Sequence, residues 1–204
     1  MNPQDHWNRI YRSKGERDLS WFEELPSVSI ELLEAAGLSE DTCVVDVGGG
    51  ESRLVDALLA RGLDCLAVLD VSGEALDHAR ARVGSQAHTV MWLEADVTAR
   101  WDLKPMDIWH DRAVFHFLIG SGDRARYVAH LRETLKPAGS VIIATFAMDG
   151  PATCSGLPVA RYSPETLAVE LGEAFQLVES RPWRHVTPWA TSQSFQYSRF
   201  RRVA

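Results

Sequence analysis

A short apolar strand that runs straight into three glycines constrains this chain more than any other feature. Val44-Val45-Asp46-Val47-Gly48-Gly49-Gly50-Glu51-Ser52-Arg53-Leu54 reads as a strand, a turn of bare backbone and the start of a helix. Glycine lets the main chain turn tightly and lets a ligand approach main-chain atoms closely. Such turns serve open α/β sheets, whose ligands lie at the carboxyl ends of strands where the strand order reverses. The surrounding sequence keeps that rhythm. Cys43–Val47, Cys65–Asp70, Thr89–Leu93, Met106–Trp109 and Ser140–Phe146 are short apolar runs. All but one are rich in Val, Ile or Leu, as expected of strands covered on both faces. Between them lie helical stretches. Ser52–Arg61 stops at Gly62, Gly73–Val83 has Ser72 as its N-cap, and Asp123–Leu135 is closed by Lys136-Pro137-Ala138-Gly139. The alternation predicts a parallel sheet with right-handed crossovers.

The last third changes character. A helix over about Pro164–Leu171 precedes two alternating β-rich runs, Phe175–Ser180 and Ser194–Arg202, separated by Pro182 and Pro188. With no helix between them they should pair antiparallel. Ahead of the first strand come two helices, about Pro3–Ser13 and Ser27–Ala36, bridged by Lys14–Leu25. The expected architecture is a doubly wound, mostly parallel seven-stranded sheet with an antiparallel C-terminal edge hairpin. A helical cap (1–40) covers its carboxyl edge, and the core spans 41–204 of one domain. Lys plus Arg number 21 against 28 for Asp plus Glu, a formal charge of −7, which argues against a nucleic-acid surface. No uncharged run reaches the ~18–20 residues of a membrane helix. The N-terminus lacks the basic and apolar regions of a signal peptide. Cys43, Cys65 and Cys154 are too few for a disulfide framework, and no C-x-x-C suggests zinc. The expectation is a cytoplasmic protein, monomer or homodimer, with no membrane or nucleic-acid partner.

The ligand of the glycine turn can be narrowed. A dinucleotide fingerprint needs a third glycine where Arg53 stands, and no phosphate-binding G-x-x-x-x-G-K-[ST] occurs. Asp46 at the strand mouth suits a cation and repels a pyrophosphate. Asp70 ends the second strand 20 residues beyond Gly50, the distance at which an acid meets a ribose diol. Asp96 follows the third strand, placed to accept from an exocyclic amine, with Val97 to pack on the ring. Three acids after three strands describe a cationic, phosphate-free adenosine compound, and S-adenosylmethionine fits.

The motifs resemble those of class I S-adenosylmethionine-dependent methyltransferases over nearly the whole chain. Val45–Gly50 is similar to that family's glycine motif, Leu69-Asp70-Val71-Ser72 to its acidic second-strand motif, and Glu94-Ala95-Asp96-Val97 to its third. Leu135-Lys136-Pro137-Ala138-Gly139-Ser140 resembles the L-[KR]-P-G-G turn, with Ala138 in place of its first glycine. The resemblance implies a Rossmann-like fold and S-adenosylmethionine as cofactor, with S-adenosylhomocysteine as product. It implies that Asp46 with Gly48, Gly49 and Gly50 holds the methionine part, Asp70 and Val71 the ribose, and Asp96 with Val97 the adenine. The cap resembles that of thiopurine and tellurite-resistance methyltransferases, in which aromatics close over the cofactor. On that reading Trp7, Tyr11 and Trp21 line the cofactor pocket; packing of the cap onto the sheet is the competing account.

The end of the fourth strand, Ile108-Trp109-His110-Asp111-Arg112-Ala113-Val114-Phe115-His116-Phe117, concentrates ionisable groups. His110 is a candidate general base beside the cofactor, since imidazole titrates near ~6.5. Asp111 and Arg112 are candidates for an ion pair or an anion grip, and His116 for a catalytic contact. The Gly/Pro-rich segment 146–162 is the expected substrate wall, with Cys154 and Arg161 as candidate contacts and His185 approaching from the loop before the last strand. No local spacing supports a metal held by Cys154, His116 and His185. The reading that follows is methyl transfer to a small-molecule acceptor, a thiol or other soft nucleophile being one candidate. Methylation of protein lysine and a non-catalytic cofactor-binding regulator are the alternatives, and Arg53 and Asp46 disfavour a dehydrogenase.

Overall fold

The computed structural model describes residues 2–204. The cap holds helices α1 (Pro3–Ser13) and α2 (Ser27–Ala35), joined by a strap with a short 3-10 turn at Glu16–Asp18. The core contains strands β1 (Val44–Val47), β2 (Leu66–Asp70), β3 (Val90–Glu94), β4 (Met106–Arg112) and β5 (Leu135–Phe146). Helices α3 (Leu54–Leu59), α4 (Gly73–Val83) and α5 (Ser121–Thr134) lie between them. A small hairpin β6 (Thr153–Cys154) and β7 (Leu157–Pro158), helix α6 (Pro164–Leu171), and strands β8 (Phe175–Val186) and β9 (Ser192–Arg202) complete the chain.

The seven-stranded sheet has the order β3-β2-β1-β4-β5-β9-β8. The first five strands pair parallel, while β9 pairs antiparallel with both β5 and β8. The order reverses at β1, which has β2 on one side and β4 on the other, so the glycine turn opens at the switch point. β1 and β2 are buried along their whole length, as their unbroken apolar sequences require. Side-chain alternation sends Val44 and Ile108 into the layer under α2 and α3, and Val45, Val47 and Trp109 into the layer under α5 and α6. Tyr11, Leu19 and Ala75 seed a third, smaller cluster that seats the cap, with Trp7, Ile10, Trp21 and Phe22 packed on it.

Local chemistry sets several boundaries. Ser72 caps α4 by accepting from Ala75 N–H at 3.2 Å, and Ser163 with Thr166 forms a capping box on α6. α3 starts two residues later than the sequence pattern suggests, because Ser52 N–H donates to Gly49 carbonyl at 2.6 Å and closes the glycine turn instead. β8 runs through Pro182 to Val186, so His185 lies in a strand and not in a loop. Pro182 pairs with Gln196 on the sheet's outermost strand, where a missing ladder donor is tolerated. The β6–β7 hairpin lies inside the expected substrate wall, its turn formed by Ser155 and Gly156 at φ 51° and 78°. A disulfide joins Cys43 to Cys65 across the starts of β1 and β2; these cysteines, 22 residues apart in sequence, become neighbours only once the strands pair. Among the described residues, no helix is long and apolar enough to cross a membrane.

Candidate functional site

A cavity of about 440 Å³ opens at the switch point. Its floor is made by the strand ends: Gly48 after β1, Asp70 and Val71 after β2, Asp96 and Val97 beyond β3, and Arg112 closing β4. Its roof is the cap, with Trp7 and Tyr11 one helical turn apart on α1 and Trp21 on the strap. Phe146, Cys154, Leu157, Pro158, Gln193 and Phe195 form the far wall. A smaller space of about 40 Å³ adjoins it, sharing Gly48, Trp21 and Arg112 and reaching Asp46, Gly49 and Glu51.

The glycines are there because nothing larger fits. Gly48 has φ +66° and a Cβ on it would overlap the Val114 side chain. A Cβ on Gly50 would lie 2.8 Å from the Tyr11 hydroxyl and 2.9 Å from Asp70 Oδ2. The cap, the turn and the second-strand acid therefore meet at Gly50.

The acids around this turn are unusually placed. Asp70 is buried, which pushes its carboxyl up to about 7, helped by nearby Asp46; donation from the main chain of Ser72, Gly50 and Val71 opposes that rise. Burial, and then Asp70, also raise the Tyr11 hydroxyl. Asp46 accepts from His110 at 2.7 Å through Oδ1, while its Oδ2 is buried without a partner. Glu51 pairs with His78 through Oε1, and its Oε2 is likewise buried without a partner. Two unmatched carboxylate oxygens at the turn fit a ligand that brings positive charge and hydrogen-bond donors. Asp96 uses Oδ1 to hold Thr98 at 2.7 Å, which fixes the acid beside Val97.

Several residues expected at the chemistry are elsewhere. His110 does not reach the cavity. It is 2% exposed, and its ring bridges Asp46 at Nδ1 and Ser29 Oγ at 2.9 Å at Nε2. β1 and β4 pair with Asp46 beside His110, so the imidazole braces the acid below the turn and is not a base beside a transferred group. Asp111 points to the opposite face, where it accepts from Val114 N–H at 2.9 Å and the Tyr127 hydroxyl at 2.6 Å. It closes the turn after β4; burial raises its carboxyl to about 6. His116 is fully buried between Phe117 and Phe146 and outside the cavity lining. Burial and the Arg112 charge lower its imidazole to about 3, so it is neutral. Arg161 turns away to the Gly150 carbonyl at 3.3 Å. His185 is buried and donates from Nε2 to the Ser20 carbonyl at 2.7 Å, holding the strap. Of the expected chemical and substrate contacts, Arg112 and Cys154 line the cavity, and burial raises the Cys154 thiol. Among the described residues, no group of three His, Cys, Asp or Glu could hold a metal ion.

The sequence reading missed Glu23, Glu51, Phe117, Gln193 and Phe195. Glu51 directly follows the glycines and was open to notice. Phe117 ends the fourth-strand segment already singled out, while Glu23, Gln193 and Phe195 come from distant segments whose convergence only the sheet order creates.

The strand order, with its switch-point glycine turn and reversed last hairpin, defines a Rossmann-like methyltransferase fold. Residues 45–141, just under half of the chain, match the model of a methyltransferase-domain family. Similar solved structures include one from work on converting a disulfide bond into a thioacetal group during echinomycin biosynthesis. It has 20% identity and a TM-score of 0.78, covering 98% of this chain and 93% of that one. Another is the N-methyltransferase NodS from Bradyrhizobium japonicum WM9 in complex with S-adenosylhomocysteine (19%, TM-score 0.71, 97% and 99%). A third is 1,6-didemethyltoxoflavin-N1-methyltransferase from Burkholderia thailandensis with bound 1,6-didemethyltoxoflavin and S-adenosylhomocysteine (20%, TM-score 0.69, 98% and 84%). No curated protein sequence matches the chain.

Proposed function

We propose that this protein transfers a methyl group from S-adenosylmethionine to a small-molecule acceptor, with thiols and other soft nucleophiles the class to test first. The observation that carries the reading is the roofed cavity of about 440 Å³. It has Asp70 and Asp96 at one end and an apolar wall with Arg112 and Cys154 at the other. The unmatched oxygens of Asp46 and Glu51 suit the α-amino end of the cofactor, Asp70 its ribose diol, and Asp96 with Val97 its adenine. When bound, the cofactor supplies an electrophilic methyl on a sulfonium. Trp7, Tyr11 and Trp21 would face that cation, a contact worth about 0.5–2 kcal/mol. The chain's own work is then to bind, to align donor with acceptor and to exclude water.

Among the described residues, no histidine lines the cavity, and the acid shifted toward neutrality, Asp70, sits at the nucleoside end. That favours an acceptor arriving with a nucleophilic lone pair, such as a thiolate. Two of the similar structures come from small-molecule chemistry, one of them at sulfur. The test is an acceptor screen with labelled cofactor over thiols, selenols, amines and carboxylates. Label transfer to a small thiol or selenol is expected. Label confined to lysine in lysate proteins would replace this reading, and tight cofactor binding with no transfer to any acceptor would leave a regulatory protein.

A further inference from the structure

The strap between the 3-10 turn and α2 has no regular hydrogen-bonding pattern at Trp21–Glu23, yet it delivers a cavity wall. Two basic side chains from different parts of the sheet tie it down. His185 of β8 donates to the Ser20 carbonyl at 2.7 Å, and its Nδ1 stands 3.4 Å from Glu23 Oε1. Arg112 of β4 donates to the Trp21 carbonyl at 2.8 Å and pairs with the same Glu23 oxygen at 3.2 Å. Arg112 is itself fixed on the sheet side: its Nε donates to the Tyr197 hydroxyl at 3.0 Å, and its guanidinium lies 5.2 Å over the Phe195 ring. Four contacts thus converge on three residues, Ser20, Trp21 and Glu23, of one short stretch. The indole they position packs edge-on against Trp7 and Tyr11, with ring centroids 5.8 and 6.1 Å away. Tyr11 in turn abuts Asp70 at the Gly50 turn.

We propose that Arg112 and His185, acting through Glu23 and the main chain of Ser20 and Trp21, are positioning residues that hold the aromatic roof over the methyl-donor site. The proposal rests on the cofactor reading above and adds to it a mechanical link from the antiparallel edge of the sheet to the roof. His185 touches no ligand in this scheme. Its whole effect passes through Trp21.

A double-mutant cycle tests this. S-adenosylmethionine affinity is measured by calorimetry for the wild type, His185→Ala, Trp21→Phe and the double variant, with His185→Gln as the conservative rescue. Each single substitution should weaken binding about threefold or more. The double variant should bind no more weakly than Trp21→Phe alone, and His185→Gln, which keeps a donor for the Ser20 carbonyl, should recover most of the loss. Full additivity overturns the proposal, because a general structural role would weaken binding whichever side chain stands at 21. If His185→Ala does not fold, Glu23→Gln enters the same cycle. Near-ultraviolet circular dichroism of the ligand-free proteins gives a second reading. The change caused by His185→Ala should vanish in the Trp21→Phe background, and its persistence would refute the link. A wild type that binds no S-adenosylmethionine but shows the expected dichroism defeats the cofactor reading and leaves the positioning network standing.

Discussion

Raising the pH from 6 to 8 should tighten S-adenosylmethionine binding about tenfold, and Asp70 should be the cause. Its carboxyl is buried and lifted to about 7 in the ligand-free protein. A ribose diol offers two donors and needs an ionised carboxylate to receive them, and a nearby sulfonium favours the anion further. The ligand therefore selects the ionised form. With a pKa of about 7 that form is roughly a tenth of the protein at pH 6 and nine-tenths at pH 8, a difference of about 1.4 kcal/mol. Calorimetry in buffers of different ionisation heat should show nearly one proton released on binding at pH 6 and little at pH 8. Asp70→Asn should flatten the profile and weaken binding at pH 8. Folding carries the opposite sign. An acid raised from 3.8 to about 7 by folding binds more protons folded than unfolded in that window. The ligand-free protein should lose stability as the pH climbs through it, by about 4 kcal/mol at most. An affinity that stays flat from pH 6 to 8, or a slope that survives in Asp70→Asn, would refute the assignment.

Other perturbations separate support from contact. Gly48→Ala should abolish cofactor binding and lower urea stability by more than the ~1–2 kcal/mol of a left-handed alanine, since its Cβ overlaps Val114; adding Val114→Ala should restore part of the loss. His110→Ala should destabilise the protein by about 1–3 kcal/mol and raise the cofactor Kd, by releasing Asp46. A fall confined to kcat would instead return His110 to the chemistry. Ala138 holds φ 61°, so Ala138→Gly should raise Tm, with a net gain of about 0.5–1 kcal/mol after glycine's added chain entropy. Reducing the Cys43–Cys65 disulfide, which closes a span of 22 residues, should cost about 3 kcal/mol in a reversible melt.

Much of the fold was readable because it rests on local rules. Ser72 announces a helix start, and the doubly covered strands announce themselves as unbroken apolar runs. What escaped depends on context beyond a few residues. Pro182 reads as a strand breaker until its strand proves to be the outermost one. Ser52 reads as the start of a helix until its N–H is taken by the Gly49 carbonyl. Cys43 and Cys65 are unrelated until β1 and β2 lie side by side.

The site divides along the same line, and the division explains its chemistry. Residues at strand ends, Gly48, Asp70, Asp96 and Arg112, reach the cavity as expected. His110 and Asp111 are neighbours inside a strand, so the two-residue period alone forbids them from serving one site. That much could have been read without a structure. Which of the two lies beside Asp46 could not, because it follows from the β1–β4 register. Once that register is known, a common design emerges at the glycine turn. Asp46 has one oxygen anchored by His110 and the other unmatched; Glu51 has one anchored by His78 and the other unmatched. An anchored carboxylate cannot swing away, and an unmatched buried oxygen carries a standing cost that only an incoming donor removes. Each histidine thus fixes one oxygen of its carboxylate and leaves the other to accept from an incoming donor.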